Sequence, residues 1–100
     1  MRTNISARHF KVREELKEYA QREVQRLTRY FEGIMDCDIE LSYQKENKTS
    51  EISLTVQGNL LKASETSDDF KKSIAVSVDK LEQQLRKYKG KLRNKHQKPE

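Results

Sequence analysis

The spacing of apolar residues switches between two periods along this chain, and that switching limits the fold more than any other feature. Thr3 to His9 places Ile5 and Ala7 among polar neighbours, the alternation of a short strand. Between Arg13 and Ile34 the spacing changes. Leu16, Ala20, Val24, Leu27, Phe31 and Ile34 recur three and four apart, one apolar stripe along a helix, with Tyr19 and Tyr30 flanking it. Glu14 and Glu15 suit the positive end of that helix, although no Ser, Thr, Asp or Asn stands at its start to cap it. Gly33 marks its expected end.

The period then becomes two. Cys37, Ile39, Leu41 and Tyr43 alternate with Asp38, Glu40 and Ser42. After a polar loop over Glu46 to Lys48, Ile52, Leu54 and Val56 alternate with Ser53, Thr55 and Gln57. Gly58-Asn59 is a tight-turn signal, and Leu61 and Ala63 carry a further strand. Such alternation buries one face and leaves the other wet, as in an antiparallel meander. From Asp68 the helical period returns through Phe70, Ile74, Val78, Leu81, Leu85, Tyr88 and Leu92, with Ser67 or Asp68 as the expected N-cap. This helix is expected to end near Leu92 or Arg93, weakened at Gly90.

The element order is therefore β-α-β-β-β-α. Four strands make one sheet, and both helices need its apolar face. The expectation is an α+β two-layer sandwich with both helices on one side of a four-stranded sheet. At 100 residues the chain is one domain with a thin core, so a deep active-site cavity is not expected. One Cys cannot form an internal disulfide or a zinc ribbon. No apolar run approaches the ~20 residues of a membrane span, and no secretory signal pattern opens the sequence.

Charge is unevenly distributed. Lys and Arg number 21 against 16 Asp and Glu, a formal net charge of +5. Met1 to Leu85 holds 14 basic and 15 acidic residues, whereas Arg86 to Glu100 holds 7 basic residues and one acidic. The whole surplus thus sits at the C-terminal end of the second helix and the tail, where it reads as a contact for a polyanion. On the second helix Lys80, Lys87 and Lys91 share one stripe, and Arg86, Lys89 and Arg93 widen it. On the first helix Arg22, Arg26 and Arg29 share a face, with Glu14, Glu15, Glu18 and Glu23 nearby. Two helices on the same sheet face would set these stripes side by side, a band suited to a phosphate backbone. Tyr19, Tyr30, Tyr43 and Tyr88 fall on or near apolar stripes and read as core or rim residues rather than as base-stacking platforms. RNA read by shape and backbone is the more natural inference, while composition by itself does not separate RNA from DNA or from an anionic membrane.

Catalytic chemistry finds no support. His9 and His96 are far apart in sequence, Cys37 takes an inward strand position, and Asp36 and Asp38 point to the opposite face from it. The three glycines are scattered, so there is no phosphate-cradling loop. Neither a catalytic set, a metal site nor a cofactor is expected.

Several segments carry a likeness to a known family. They are Asn4-Ile5; Val12 to Leu16 with Leu27, Tyr30-Phe31 and Ile34; Thr49-Ser50-Glu51; and Ala63-Ser64 followed by Asp69-Phe70. The most specific is Asp79-Lys80-Leu81-Glu82-Gln83-Gln84-Leu85 with Lys87 and Lys91. The chain resembles the short ribosome hibernation promoting factors and the related ribosome-associated inhibitor, from roughly Asn4 to Arg93. The resemblance implies a fold similar to double-stranded RNA-binding domains, and one ribosome-binding domain over residues 1–94 with a flexible basic tail over 95–100. It implies a cytoplasmic, non-catalytic protein, a monomer off the ribosome. That protein would bind the small ribosomal subunit and its 16S rRNA in the messenger and transfer RNA channel, occlude the A and P sites and silence idle ribosomes. No small-molecule substrate and no membrane is implied.

Basic family positions fall at Lys17, Arg26, Lys80, Lys87 and Lys91; Arg22, Arg29, Arg86, Lys89 and Arg93 come from the charge pattern alone. The chain departs from the family at Lys71, where Tyr is usual, at Arg13, where a capping Ser or Thr is usual, and at Gln83, where Arg is common. Long members add a domain that pairs ribosomes; here pairing would need a partner factor. The alternative role, from the family's older name, is regulation of transcription through sigma-54 by protein contact.

Overall fold

The computed structural model describes the backbone of residues 1–97 and the side chains of residues 1–90. Strand β1 (Arg2–Arg8) leads into helix α1 (Glu14–Gln25), which tightens into a 3-10 turn (Arg26–Arg29). Strands β2 (Ile34–Gln44), β3 (Asn47–Val56) and β4 (Asn59–Ser67) follow, and helix α2 (Phe70–Gln97) closes the order. The sheet runs β1-β2-β3-β4. β1 is parallel to β2, and the other neighbours are antiparallel. A parallel pair needs a crossover, and α1 supplies it. The expected α+β sandwich and its β-α-β-β-β-α order are therefore what the chain adopts.

Register places the alternating residues in rows. Ile5, Ile39, Ile52 and Ala63 lie side by side across all four strands, as do Thr3, Cys37, Leu54 and Leu61. Ala20, Val24 and Leu27 from the first helical segment close over this face with Ile74, Val78, Leu81 and Leu85 from α2, all virtually inaccessible to solvent. The opposite face carries Asp36, Asp38, Glu40 and Glu51. Cross-strand pairs at 3.0 Å join Arg2 to Asp36 and Arg8 to Glu40. Where α2 lies on β3, small residues admit close approach: the Ser73 hydroxyl donates to the Lys48 carbonyl at 2.7 Å, and the Ser77 hydroxyl to that of Ser50 at 3.3 Å.

Five local expectations are corrected. The first helical stripe is not one helix to Ile34. The α-helix stops at Gln25, and Ile34 opens β2, paired with Val56. Thr28 donates its hydroxyl back to the Gln25 carbonyl at 2.7 Å, a local bond that competes with continued α-helix. The stripe persists because the 3-10 turn still lies over the core with Leu27 inward, and spacing alone does not report which carbonyl each N–H bonds. Gly33 sits in the following turn, where a Cβ would come within 2.6 Å of the Phe31 ring.

The β3–β4 turn is centred one residue earlier than expected, on Gln57 (φ 49°) and Gly58 (φ 81°). Two left-handed residues match the twist of a two-residue hairpin, and Asn59 already pairs with Val56. The β2–β3 turn is Lys45-Glu46, so Lys48 belongs to β3 and not to a loop. The α2 cap is Asp69, whose Oδ1 accepts the Lys71 N–H at 3.0 Å. Ser67 instead accepts the Asp69 N–H at 3.2 Å and bonds the Ser73 hydroxyl. α2 also runs past the expected end at Leu92 or Arg93, to Gln97. Pro99 lies outside the described residues.

Candidate nucleic-acid interface

The basic residues of α2 divide between two flanks. Lys80, Gln84 and Lys87 follow one side at helical spacing. That side lies along the outer edge of β4: Lys80 Nζ donates to the Ser64 carbonyl at 2.8 Å and to Glu65 at 3.0 Å, and Gln84 Nε2 donates to the Lys62 carbonyl at 2.8 Å. Edge carbonyls are the template on which foreign strands pair, so these side chains close an exposed sheet edge. Lys80 is thereby held against the β4 edge, with its side chain still 48% exposed. Lys87, farther along, is exposed and has no acidic partner within ion-pair distance among the described residues.

The other flank faces α1 and the 3-10 turn, and here Arg26 is the centre of a carboxylate cluster. Its guanidinium is 2.7 Å from Glu23, 3.5 Å from Asp79 and 3.6 Å from Glu82. Burial opposes its charge, but the three carboxylates outweigh that and raise its pKa above the ordinary arginine value. Arg26 joins the two helices through these carboxylates, with its side chain 39% exposed, and so is less open than Arg22 and Arg29 on the face read from the sequence. Arg22 lies outward in a shallow groove with Glu18 and Gln25. Lys17 is nine residues from Arg26 and so on the far side of α1 from α2.

Beyond Arg26 the structure brings three basic residues together. Arg29, Tyr30, Arg86, Lys89 and Gly90 line a cleft of about 310 Å³ between the 3-10 turn and α2. The Arg86 guanidinium lies 5.3 Å from the centre of the Tyr30 ring, and its Nη2 is 2.9 Å from Glu82. Lys89 Nζ donates to the Tyr30 carbonyl at 3.4 Å. A Cβ on Gly90 would touch nothing, so its missing side chain leaves the cleft open without any backbone requirement for glycine. Three cations, of which Glu82 offsets one, surround a space wide enough for a phosphate group. The open sheet face carries Asp36, Asp38, Glu40 and Glu51, of which Asp36 and Glu40 are paired to Arg2 and Arg8.

In the sequence Tyr30 reads as a core or rim residue beside the stripe, not as part of a binding site. It is the wall of this cleft and the ring under Arg86. Its adjacency to Arg29, just off the apolar spacing, is the signal that could have singled it out. The side chains of Lys91, Arg93 and His96 lie outside the described residues. No helix of the described residues is long and apolar enough to cross a membrane.

Three comparisons bear on this geometry. Residues 3–93 match the family described as Sigma 54 modulation protein / S30EA ribosomal protein. The ribosome hibernation promoting factor of Escherichia coli K12 is 32% identical over 93 residues, spanning 93% of this chain and 98% of that protein. The ribosome hibernation promotion factor of Bacillus subtilis is 28% identical over 98 residues, which is 95% of this chain and 52% of that longer protein. Among solved structures, a ribosomal subunit interface protein from Coxiella burnetii superposes with a TM-score of 0.85 at 24% identity, covering 90% of this chain and 99% of that one, a likeness of fold.

Proposed function

The chain belongs to the sigma 54 modulation protein / S30EA ribosomal protein family, and from that premise we propose that it is a cytoplasmic ribosome hibernation factor. In this reading it binds the small ribosomal subunit in the messenger and transfer RNA channel, occludes the A and P sites and keeps idle ribosomes silent. Off the ribosome it is a monomer. The observation that carries the reading is the cleft where Arg29, Arg86 and Lys89 converge beside Tyr30. Cations on one rigid side of a small body meet phosphates of 16S rRNA, and the body itself fills the channel. No bond is made or broken. Arg22 and Lys87 extend the attraction beyond the cleft, Lys17 adds charge on the far side of α1 and the basic run that includes Lys91 and Arg93 adds to the total, while Arg26 and Lys80 hold the fold that presents it.

The test is co-sedimentation with small subunits on a gradient at two salt concentrations. About six phosphate contacts would cost ~10³-fold in affinity between 50 and 200 mM salt. The variant Arg29→Glu/Arg86→Glu/Lys89→Glu, shown to be folded by circular dichroism, is expected to leave the subunit fraction. Full-strength binding by that variant refutes the cleft as the site. Binding of the wild type to a polymerase sigma factor, with none to ribosomes, would support the transcriptional role instead.

A further inference from the structure

A second cavity lies away from the basic cleft. It is an open groove of about 570 Å³ where the end of β1, the β2–β3 hairpin and the start of α2 meet. Its wall is aromatic. Phe10 and Phe70 stack at 5.1 Å with a 22° tilt, and the Tyr43 ring lies 6.4 Å from each. Tyr43 is 47% exposed, unusual for a large ring with aromatic neighbours. The chain reaches this wall through His9, which holds φ at 69°. A left-handed non-glycine residue is uncommon and persists where the surroundings over-determine it.

The rim is basic. Lys11, Arg13, Lys48 and Lys71 line the groove against two carboxylates, Glu15 and Asp69. Both carboxylates are already engaged: Glu15 pairs with Lys71 Nζ at 3.3 Å, and Asp69 caps α2. Lys48 Nζ stands 5.7 Å from the centre of the Tyr43 ring. Lys11 and Arg13 have no acidic partner within ion-pair distance among the described residues. An exposed π-face beside surplus cations is what a nucleotide needs, since its base stacks while its phosphate meets the charge.

We propose that this groove is a second RNA subsite that takes one unpaired base of a single strand. The proposal deepens the ribosome reading and rests on the chain binding RNA. A base within a duplex is stacked on both sides and cannot enter, whereas an unstacked base in a loop can. Lys71 and Lys89 are eighteen residues apart on α2, about 27 Å along the helix. The groove and the cleft are therefore separate contacts on one rigid rod, able to fix the orientation of a bound RNA as one contact cannot.

The test titrates the full chain with a mixed-sequence single-stranded RNA dodecamer and, separately, with a hairpin duplex, reading aromatic ring protons by NMR. The single strand is expected to shift the rings of Phe10, Tyr43 and Phe70, and the duplex is not. Tyr43→Ser should lose at least about fivefold in affinity for the single strand, as expected when a base loses its stacking partner. Tyr43→Phe, which keeps the ring, should bind like wild type. Unmoved ring signals together with wild-type affinity in Tyr43→Ser would overturn the proposal. So would ring shifts produced by an acidic, leucine-containing peptide and not by RNA. Failure of the wild type to co-sediment with ribosomes sinks the ribosome reading. Ribosome binding with an indifferent Tyr43→Ser sinks only the groove.

Discussion

Arg86 lies over Tyr30, with the guanidinium carbon 5.3 Å from the ring centre, and this contact, together with the Lys89 bond to the Tyr30 carbonyl, ties the far half of α2 to the turn that follows α1. The ring holds a long, flexible cation in place, so its charge is presented in a fixed direction rather than averaged over rotamers. Tyr30→Leu keeps apolar bulk and removes the π-face. The expected outcome is a stability change under about 1 kcal/mol, the range of an exposed cation–π contact. RNA affinity should fall several-fold. Urea unfolding and fluorescence anisotropy on the same preparation separate the two effects.

Arg26 should behave in the opposite way. It bridges α1 to α2 through Glu23, Asp79 and Glu82 and is 39% exposed, so solvent weakens each pair. Arg26→Met retains the stem and removes the charge. A loss of about 1 kcal/mol in unfolding free energy is expected for the network. The slope of RNA affinity against salt should stay as in wild type, because no phosphate contact is lost. A shallower slope would return Arg26 to the interface.

Lys80 and Gln84 guard the outer edge of β4. Lys80→Ala/Gln84→Ala should cost about 1 kcal/mol per lost hydrogen bond at most. The more telling result is self-association: uncovered edge carbonyls invite strand pairing, so light scattering should show concentration-dependent oligomers absent in wild type. Charge reversal at Lys80 is accordingly a poor probe of RNA binding, since lost folding would pass for lost contact.

Cys37 gives a pH-dependent prediction. Burial, aided by the nearby Asp38, pushes its thiol up to about 12. The folded state therefore keeps the proton after the unfolded chain has released it. This contribution is intact below pH 9 and falls away as pH rises from about 9 towards 12. At pH 11 it amounts to roughly 2–3 kcal/mol of destabilisation, at ~1.4 kcal/mol per unit. Cys37→Ala pays a fixed cavity cost at every pH but lacks this loss. Its stability relative to wild type should therefore improve steadily above pH 9 in denaturant titrations, and a pH-independent difference would refute the assignment.

Much of the fold was legible in the residues. Ile39, Ile52 and Ala63 occupy one buried row because period two fixes which face each strand residue takes, whatever its partners. Ile74, Val78, Leu81 and Leu85 are buried because helical spacing fixes a stripe in the same way. What misled was continuity: Ile34 continued the helical spacing yet opens a strand, since a 3-10 turn and a bend can keep apolar residues over the same core. In the site, Arg29, Arg86 and Lys89 were picked out by charge and do converge. Arg26 and Lys80 were picked out by the same signal and instead bond within the fold. A side chain's charge is written in the sequence, but its partner comes from another element.

The sequence by itself determined the alternation of elements, the face each one buries and the concentration of basic charge towards its C-terminal end, because these depend on local period and composition. Only the tertiary structure decided which partners each cation meets. Packing set Glu23, Asp79 and Glu82 around Arg26 and laid β4 under Lys80, while leaving Arg86 and Lys89 beside Tyr30 with a single nearby carboxylate. Coulombic partnership falls off over a few ångströms, and residues 59 apart, such as Tyr30 and Lys89, come within that range only when the chain folds.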